Sequence, residues 1–288
     1  PEPRKPYDAP LWIRTDRPVR LGELASPDAL QVEGFFPSPI RVSFRVPPDL
    51  FTWRSRGVPL ELVYRYGTQG ATADSTLNLS LNGKFVYGLP LPHDEPSWLQ
   101  RQLGRDVFGP EDGLQRRKLL VPTHLIVGRD QMQFQYYFEP LKEGECRDVL
   151  LDSTRGAIDP NTTLDFSGFH HYTRLPDLAK FANLGFPFTR LADLADTAVV
   201  LPERRPLLEA YLALLGRLGE ATGYPALRVT LVEPGNLATV ADKDLLVITT
   251  ASGMELPADW QEHMPLWQRA GRWEVRTPGY WERLARLL

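Results

Sequence analysis

Two aspartates near the middle of the chain are the first residues whose type and spacing could do chemistry. A glycosidase needs two carboxylates roughly 5 to 10 Å apart across the sugar that it cleaves, and Asp159 and Asp165 could form such a pair. However, Asp159 lies in an Asp-Pro turn and Asp165 precedes a strand-like segment, and aspartate at such positions readily bonds to its own local backbone. We therefore interpret both as structural. Since the chain also lacks a serine nucleophile elbow, we predict no catalytic residues.

The adjacent histidines His170 and His171 are the next candidates, this time for metal binding. Neighbouring side chains on an extended segment point to opposite faces, so the two rings are poorly placed to chelate one ion. No pair of cysteines accompanies them, because Cys146 is the one cysteine of the chain. That thiol is either idle or bonded to a cysteine outside this chain. We predict no metal site.

A phosphate-binding turn is the third kind of candidate site. The strand-like run Thr197–Leu201 is followed by Pro-Glu-Arg-Arg-Pro at residues 202–206. A flavin-binding flavodoxin has a loop rich in Ser, Thr and Gly here, whose backbone amides hold the phosphate. The two prolines remove amide donors and Glu203 adds a negative charge. The arginines could meet an anion, but a solvated surface is the favoured interpretation. With no glycine-rich dinucleotide turn either, we predict no cofactor.

Aromatic residues suited to holding a polysaccharide are what the sequence does offer. Sugars stack their apolar C–H faces on flat rings, while their hydroxyls bond to planar polar groups. Trp53 lies beside Arg54 in the loop PDLFTWRSRG, Trp98 lies in a long polar segment, and Tyr137 faces away from the apolar side of its strand. We predict these four residues as carbohydrate-binding, with Trp53 the strongest candidate. The alternative is that the rings seal the rim of a β-sandwich.

Alternation of apolar and polar residues predicts that the first half of the chain consists of strands. Three segments alternate in this way, Ile40–Val46, Leu60–Tyr66 and Met132–Phe138, and each is typical of a half-buried antiparallel strand. Arg116–Val121 is a candidate partner of the last segment.

A hairpin and a long loop complete this first part. Leu77, Leu79 and Leu81 precede Asn82-Gly83, a pair that favours a two-residue hairpin turn. His93–Gly113 is too polar and too rich in Gly and Pro to belong to a core. The pattern predicts a jelly-roll β-sandwich over residues 1–150.

The second half changes to alternating strands and helices. Arg147–Thr163 has the turn chemistry of a connector, and a short helix is predicted over Pro176–Asn183, ended by Gly185. The strand Thr197–Leu201 precedes a strongly amphipathic helix with Leu207, Leu208, Tyr211, Leu212, Leu214, Leu215 and Leu218 on one side. Further strands are predicted at Leu227–Val232, Leu245–Thr249 and Trp273–Val275. We predict an α/β domain with a mainly parallel sheet over residues 151–288.

Charge and hydropathy exclude several classes of protein. A net charge of −3 and a pI near 6 give no basic field, which argues against a nucleic-acid partner. No run of residues reaches the ~18 apolar residues that a membrane span needs. The chain starts at Pro1 without a signal-like segment, and we expect it to be part of a larger protein.

The end of the chain has an aromatic and arginine-containing face. Trp281 and Leu284 fall on one side of a predicted helix, together with Tyr280, Leu287 and Leu288. Such a helix suits a membrane interface, with Trp281 and Leu284 as the interface residues. Docking onto the sheet of the second domain is the equal alternative.

Four blocks of the sequence resemble a known family. They read PSPIRVSFRVPPDLFTWRSRGVPLELVYRY, STLNLSLNGKFV, DFSGFHHYTRLPDLAKFANLGFPFTRLADLADTAVVLP and ATGYPALRVTL. Together they resemble, over most of the chain, the C-terminal half of the periplasmic regulatory subunits of bacterial cellulose synthase, the cyclic di-GMP-binding regulatory protein family. The resemblance implies a second carbohydrate-binding-like jelly roll followed by a second flavodoxin-like domain.

The resemblance also implies a function. It predicts a non-catalytic accessory and regulatory subunit that associates with the cellulose synthase catalytic subunit, a membrane glucosyltransferase, and guides nascent cellulose, a β-1,4-glucan, through the periplasm. The family is anchored to the inner membrane by a C-terminal helix that we expect to lie outside this chain. The family's naming refers to cyclic di-GMP, but that ligand belongs to the catalytic subunit and no motif for it is present here. A stand-alone periplasmic carbohydrate-binding protein is the alternative, and a carbohydrate-active enzyme is the third candidate.

Overall fold

The chain folds into two compact units. The computed structural model describes residues 3–34, 36–67, 74–91, 114–139, 141–142, 148–149, 154–202, 205–249, 260, 266–269 and 272–275. The first unit comprises Pro1–Ala192 with Gly219–Tyr224, and the second comprises Asp193–Leu218 with Pro225–Leu288.

Most of the first unit consists of strands. In chain order they are β1 (Val19–Arg20), β2 (Gln31–Glu33), β3 (Ile40–Arg45), β4 (Leu50–Phe51), β5 (Val58–Tyr66), β6 (Thr76–Leu81), β7 (Lys84–Pro90), β8 (Gln115–Val121), β9 (Arg129–Tyr137), β10 (Leu141–Lys142), β11 (Asp148–Val149), β12 (Arg155–Ile158), β13 (Thr163–Leu164) and β14 (His170–His171). Short 3₁₀ helices cover Leu21–Glu23, Pro27–Leu30, Thr123–Leu125 and Phe188–Arg190. One α-helix, α1 (Leu178–Leu184), belongs to the described part of this unit.

These strands form two main antiparallel sheets. One has six strands, in the order β1-β13-β5-β12-β2 with β8 also paired to β5, and the other has four, in the order β3-β9-β6-β7. Two small ladders, β10 with β11 and β4 with β14, lie outside them. The first unit is therefore a β domain built mainly on two sheets.

A single apolar cluster receives side chains from both main sheets. β3 contributes Ile40, Val42 and Phe44, and β9 contributes Met132, Phe134 and Tyr136. The facing sheet contributes alternate residues of β5, including Leu60 and Leu62. On β3, the residues that alternate with Ile40, Val42 and Phe44 are more exposed, so the alternation predicted from the sequence is confirmed.

The predicted hairpin is also confirmed. Asn82 and Gly83 join β6 to β7 with φ angles of 52° and 73°, which is why a residue pair that tolerates positive φ is needed. The Asn82 amide donates to Asp130 Oδ1 at 2.7 Å, and Asn82 Oδ1 accepts from the backbone N–H of Gln131 at 2.9 Å. The turn is thereby fixed to the start of β9.

The partner predicted for the last strand is wrong. Residues Arg116–Val121 pair in β8 with β5, not with β9, since β9 already has β3 on one side and β6 on the other. Most of β8 is exposed, and an exposed strand lacks an apolar pattern that would identify its sheet.

The boundary of the first unit differs from the one predicted at residue 150. β12 pairs with both β5 and β2, and β13 pairs with β5 and β1, so part of the predicted connector completes the larger sheet. The strand signal of β12 is weak because it contains Gly156. A Cβ atom at Gly156 would lie 2.7 Å from Cδ2 of Tyr136, so the buried ring requires glycine there.

The short helix α1 follows the predicted signals. Asp177 Oδ1 accepts from the backbone N–H groups of Ala179 and Lys180, both at 3.1 Å, and Gly185 ends the helix at a φ of 70°. It clusters with the first unit rather than with the predicted second domain.

The second unit contains a parallel sheet. Its elements are β15 (Thr197–Val200), α2 (Arg205–Thr222) as far as Leu218, β16 (Thr230–Val232), a 3₁₀ helix at Pro234–Val240, β17 (Asp244–Val247), β18 (Leu266–Arg269) and β19 (Arg272–Val275). β15 lies between β16 and β17 and is parallel to both, while β18 and β19 form a separate antiparallel pair. β15 is buried along its whole length, as a central parallel strand must be. The predicted parallel sheet is therefore confirmed.

The apolar face of α2 is narrower than predicted. Leu207, Tyr211 and Leu218 are buried, but Leu208 and Leu212 are exposed. Residues three or four positions apart lie on the same face of a helix. The predicted face combined two adjacent rows of such residues, and the row that contains Leu207, Tyr211 and Leu218 is the buried one. Among the helices that the structure describes, none is both long enough and apolar enough to cross a membrane.

Two buried tyrosines of the core allow a matched test of stability. The Tyr136 hydroxyl donates to the backbone oxygen of Ala157 at 2.9 Å and lies 3.1 Å from that of Arg65, whereas the buried Tyr64 hydroxyl has no partner among the described residues. We expect Tyr136→Phe to lower the free energy of unfolding by about 1 kcal/mol and Tyr64→Phe to leave it unchanged or raise it slightly. Urea denaturation of both variants measures the difference, and equal losses would contradict this account.

Gly156 provides a second test. Gly156→Ala forces a methyl group against the Tyr136 ring, and we expect a loss of about 1 to 3 kcal/mol in unfolding free energy. Gly168→Ala is the control, because a Cβ atom there meets nothing within 4 Å. Thermal denaturation of the two variants should show a large decrease for the first and little change for the second.

Candidate functional site

An open groove in the first unit contains the strongest of the predicted site residues. Its volume is about 640 Å³, within the range of small-ligand sites. We call it the Trp53 groove, and it is lined by Leu50, Phe51, Thr52, Trp53, Arg54, Ser55, Thr123, His124, Tyr172, Thr173, Arg174, Asp177 and Lys180.

A tight turn projects Trp53 into solvent. The backbone N–H of Ser55 donates to the oxygen of Thr52 at 3.2 Å, which closes the turn around Trp53 and Arg54. Arg54 has a φ of 57°, a conformation that usually requires glycine, so the backbone is strained there. Trp53 is 70% exposed, and the guanidinium carbon of Arg54 lies 5.9 Å from its ring. The turn therefore presents a flat ring next to a cation.

Two further aromatic rings lie in the Trp53 groove. Phe51 and Tyr172 pack edge to face with their centroids 5.7 Å apart, and they are 44% and 62% exposed. The β4–β14 ladder places them together, since Phe51 pairs with His170 and Leu50 with His171. Exposed large rings gathered in one place are typical of a binding surface.

A buried carboxylate holds the segments that form the groove. Asp49 accepts from the Tyr7 hydroxyl at 2.6 Å and from Nδ1 of His171 at 3.0 Å, and its backbone oxygen accepts from the N–H of Tyr172 at 2.7 Å. Nε2 of His171 lies 3.0 Å from Oγ1 of Thr15, and the Tyr7 and His171 rings stack 3.6 Å apart. Burial, together with the bond to Asp49, raises the pKa of Tyr7 above its ordinary value. Tyr7 therefore stays a hydrogen-bond donor at neutral pH.

The polar groups of the Trp53 groove are mainly donors. Lys180 lies 3.5 Å from the carboxylate of Asp177 and donates to the hydroxyl of Thr173. Asp177 also accepts from the first turn of α1, and the bond from the backbone N–H of Lys180 lowers its pKa below the usual range. Arg54 and Arg174 have no ion-pair partner among the described residues.

The structure brings together only part of the predicted site. Trp53 and Arg54 line the groove, but Tyr137, although 55% exposed, lies at the opposite end of β9 from the loop that follows β3. At ~3.4 Å per residue, β9 spans roughly 27 Å between its ends, so Tyr137 is outside the groove. Trp98, Trp281 and Leu284 lie outside the described residues, as do Cys146 and residues 203–204 of the predicted phosphate turn.

Sequence reasoning missed Phe51 and Tyr172. Phe51 stands in the same loop as Trp53, and Tyr172 directly follows the two histidines. Their proximity depends on the short β4–β14 ladder, whose two-residue strands give no periodic signal.

The structural interpretation of the two aspartates is confirmed. Asp159 Oδ1 accepts from the backbone N–H of Asn161 at 2.8 Å, and Asp165 Oδ1 accepts from the backbone N–H of Ser167 at 2.8 Å. His171 is engaged with Asp49, and no cluster that could hold a metal ion occurs in the described part of the chain.

A second cavity is less suited to a sugar. It has a volume of about 500 Å³ beside β2, β5 and β12. Its Arg155 pairs with Glu33 at 3.1 Å and its Arg65 pairs with Asp159 at 3.4 Å, so both of its arginines already have a carboxylate partner. The aromatic residue of its lining, Tyr66, is buried and offers no stacking face.

Comparison with known proteins identifies relatives along most of the chain. The chain is 45% identical to a protein of Pseudomonas fluorescens strain SBW25 named "Cyclic di-GMP-binding protein", over 91% of this chain and 35% of that protein. It is 39% identical to a protein of the same name from Xanthomonas axonopodis pv. citri, over 100% and 37%. It is also 39% identical to "Cellulose synthase 1" of Komagataeibacter xylinus, over 86% and 16%. The chain thus spans about a third of the first two relatives.

Solved structures are less similar. Dimeric latent PorU from Porphyromonas gingivalis matches with a TM-score of 0.25 and 13% identity, over 62% of this chain and 16% of that one. Similarity this low does not establish a shared fold.

Two family models match successive parts of the chain. Residues 18–163 match the model described as "Cellulose synthase BcsB, second CBM domain", and residues 171–287 match "Cellulose synthase BcsB, second FD domain". The first match covers the two main sheets, and the second covers the parallel sheet of the second unit. The chain therefore belongs to the BcsB family of cellulose synthase proteins.

Proposed function

We propose that this chain is part of a non-catalytic accessory and regulatory subunit of bacterial cellulose synthase. It associates with the membrane glucosyltransferase and guides nascent β-1,4-glucan. The observation that carries the proposal is the match to two consecutive BcsB domain models over residues 18–163 and 171–287. The names of the relatives, "Cellulose synthase 1" and "Cyclic di-GMP-binding protein", support the assignment to cellulose synthesis and its regulation.

The finer fold assignment is part of the proposal. A jelly roll for the first domain is supported by two antiparallel sheets that share a core. A flavodoxin-like second domain is supported by the strand order β16-β15-β17, which corresponds to the order 2-1-3 with which flavodoxin-like sheets begin.

A role without catalysis or cofactor agrees with the hydrogen bonds that the candidate catalytic groups already make within the protein. The carboxylates of Asp159 and Asp165 bond to their own turns, and His171 bonds to a buried aspartate. We propose that cyclic di-GMP acts on the catalytic subunit rather than on this chain. We further propose a periplasmic location at the inner membrane, with Trp281 and Leu284 as membrane-interface residues.

Within this function, we propose that the Trp53 groove is a glucan contact. Trp53, Phe51 and Tyr172 offer stacking faces for sugar rings, and Arg54 lies next to the most exposed of them. A stand-alone periplasmic carbohydrate-binding protein is the alternative, and dependence on the glucosyltransferase separates the two.

Co-purification tests the partner. The chain should co-purify with the cellulose synthase catalytic subunit from detergent-solubilised membranes and should not do so with an unrelated glycosyltransferase. Cellulose binding without retention of the catalytic subunit would favour the stand-alone carbohydrate-binding protein.

Loss of Trp53 tests the site. One stacking ring contributes ~0.5 to 1.5 kcal/mol, so we expect Trp53→Ala to lower glucan affinity by roughly 2- to 12-fold and to reduce cellulose output in the producing cell. Tyr137→Ala removes another exposed ring, which lies outside the groove, and should have no such effect. Cellulose yield, normalised to the amount of subunit and to its melting temperature, measures the result. Normal output from a stable Trp53→Ala protein would exclude Trp53 from the site.

A further inference from the structure

The Trp53 groove has an imbalance between hydrogen-bond donors and acceptors. Arg54, Arg174 and Lys180 contribute charged donors and no acceptors. The carboxylate in its lining, Asp177, already accepts from the first turn of α1 and from Lys180. A ligand that supplies negatively charged acceptors would therefore complement these cations.

The hydroxyl groups in the lining do not restore the balance. The Ser55 hydroxyl donates to Thr123 Oγ1 at 3.3 Å, and Thr173 Oγ1 accepts from Lys180. A neutral sugar hydroxyl both donates and accepts, whereas the three charged side chains of the groove can only donate to it. Negatively charged oxygens only accept, and arginine binds them with two parallel N–H groups.

The two arginines lie near exposed rings of the groove. Arg54 is 5.9 Å from the Trp53 ring, and Arg174 lies two residues after Tyr172, in the same lining. Neither Arg54 nor Arg174 has a carboxylate partner among the described residues, so both guanidinium groups can bind a ligand. A local cationic groove on a chain with a net charge of −3 attracts anions to that place rather than to the whole surface.

We propose that the Trp53 groove binds a β-1,4-glucan that carries acidic substituents. The rings stack on sugar faces, and Arg54 and Arg174 bind the negatively charged oxygens of the substituents. The proposal rests on the proposed function and adds the chemical class of glucan that the groove selects.

Affinity electrophoresis of the 288-residue chain tests the selection. Carboxymethyl cellulose and hydroxyethyl cellulose share one backbone, and the first is anionic while the second is neutral. We expect half-maximal retardation at an about tenfold lower concentration of carboxymethyl cellulose, and we expect added salt to reduce the difference. Polyglutamate, which has carboxylates and no sugar faces, should bind no better than hydroxyethyl cellulose.

Matched variants identify the groove. Arg54→Gln and Arg174→Gln should each reduce the preference for carboxymethyl cellulose, while Trp53→Ala should weaken binding to both polymers. Arg41→Gln is the control, because Arg41 is exposed on β3 and lies outside the groove lining. Arg54→Gly should weaken binding to carboxymethyl cellulose without lowering the melting temperature, because glycine relieves the positive φ.

The outcomes separate this proposal from the proposed function. Equal, Trp53-dependent binding of both cellulose derivatives would overturn the acidic preference and leave glucan handling intact. Binding of polyglutamate as tight as that of carboxymethyl cellulose, insensitive to Trp53→Ala, would reduce the effect to charge alone and overturn the proposal. Absence of binding to either derivative would remove the groove from glucan handling altogether.

Discussion

The buried carboxylate of Asp49 is the constraint on which the groove depends. It accepts from Tyr7 and His171 at once, and the backbone of the same residue receives the N–H of Tyr172. These bonds join the N-terminal segment, the loop after β3 and the short strand β14, three pieces that no long ladder connects. Burying a charged group costs free energy unless the group is hydrogen-bonded. The loss of one partner of Asp49 would therefore also weaken the positions of the other two segments. The positions of Phe51 and Tyr172 follow from this anchor and from the two-residue ladder beside it.

The Trp53 groove has features that do not stabilise the folded chain. Three large rings are exposed in one groove, Arg54 occupies a backbone conformation suited to glycine, and two arginines lack a carboxylate partner within the described residues. Each of these is unfavourable or at best neutral for the stability of the isolated chain. The proposed ligand would cover the rings and supply partners for the two arginines, whereas a rim-sealing role would bury the Trp53 ring, which is mostly exposed.

The features that could be predicted from the sequence are those that depend on residues close together in the chain. The strands β3, β5, β6 and β9 have one buried face each, and that face produces an alternation that is visible without any partner. The sequence predicts the wrong partner for β8 because most of that strand is exposed. It places β12 in a connector because the strand contains Gly156, which is required by the ring of Tyr136. The same division holds for the groove lining: Trp53 and Arg54 are neighbours in one loop, but Phe51 and Tyr172 are brought together by pairing across more than a hundred residues of chain.

The family relationship and the groove chemistry answer different questions. Membership in the BcsB family rests on long blocks of sequence that largely encode strands, caps and turns, so it accounts for the scaffold and for the assignment to cellulose synthesis. The ligand is decided by loop residues on that scaffold, where a change of one side chain alters the balance of donors and acceptors without altering the core. Arg54 and Arg174 lie in such segments, one in a turn and one in the irregular chain between β14 and α1. Under the proposal that the groove binds an acidic glucan, relatives with the same two sheets and a carboxylate or amide at these positions would hold neutral glucan, and the groove residues rather than the overall identity would distinguish them.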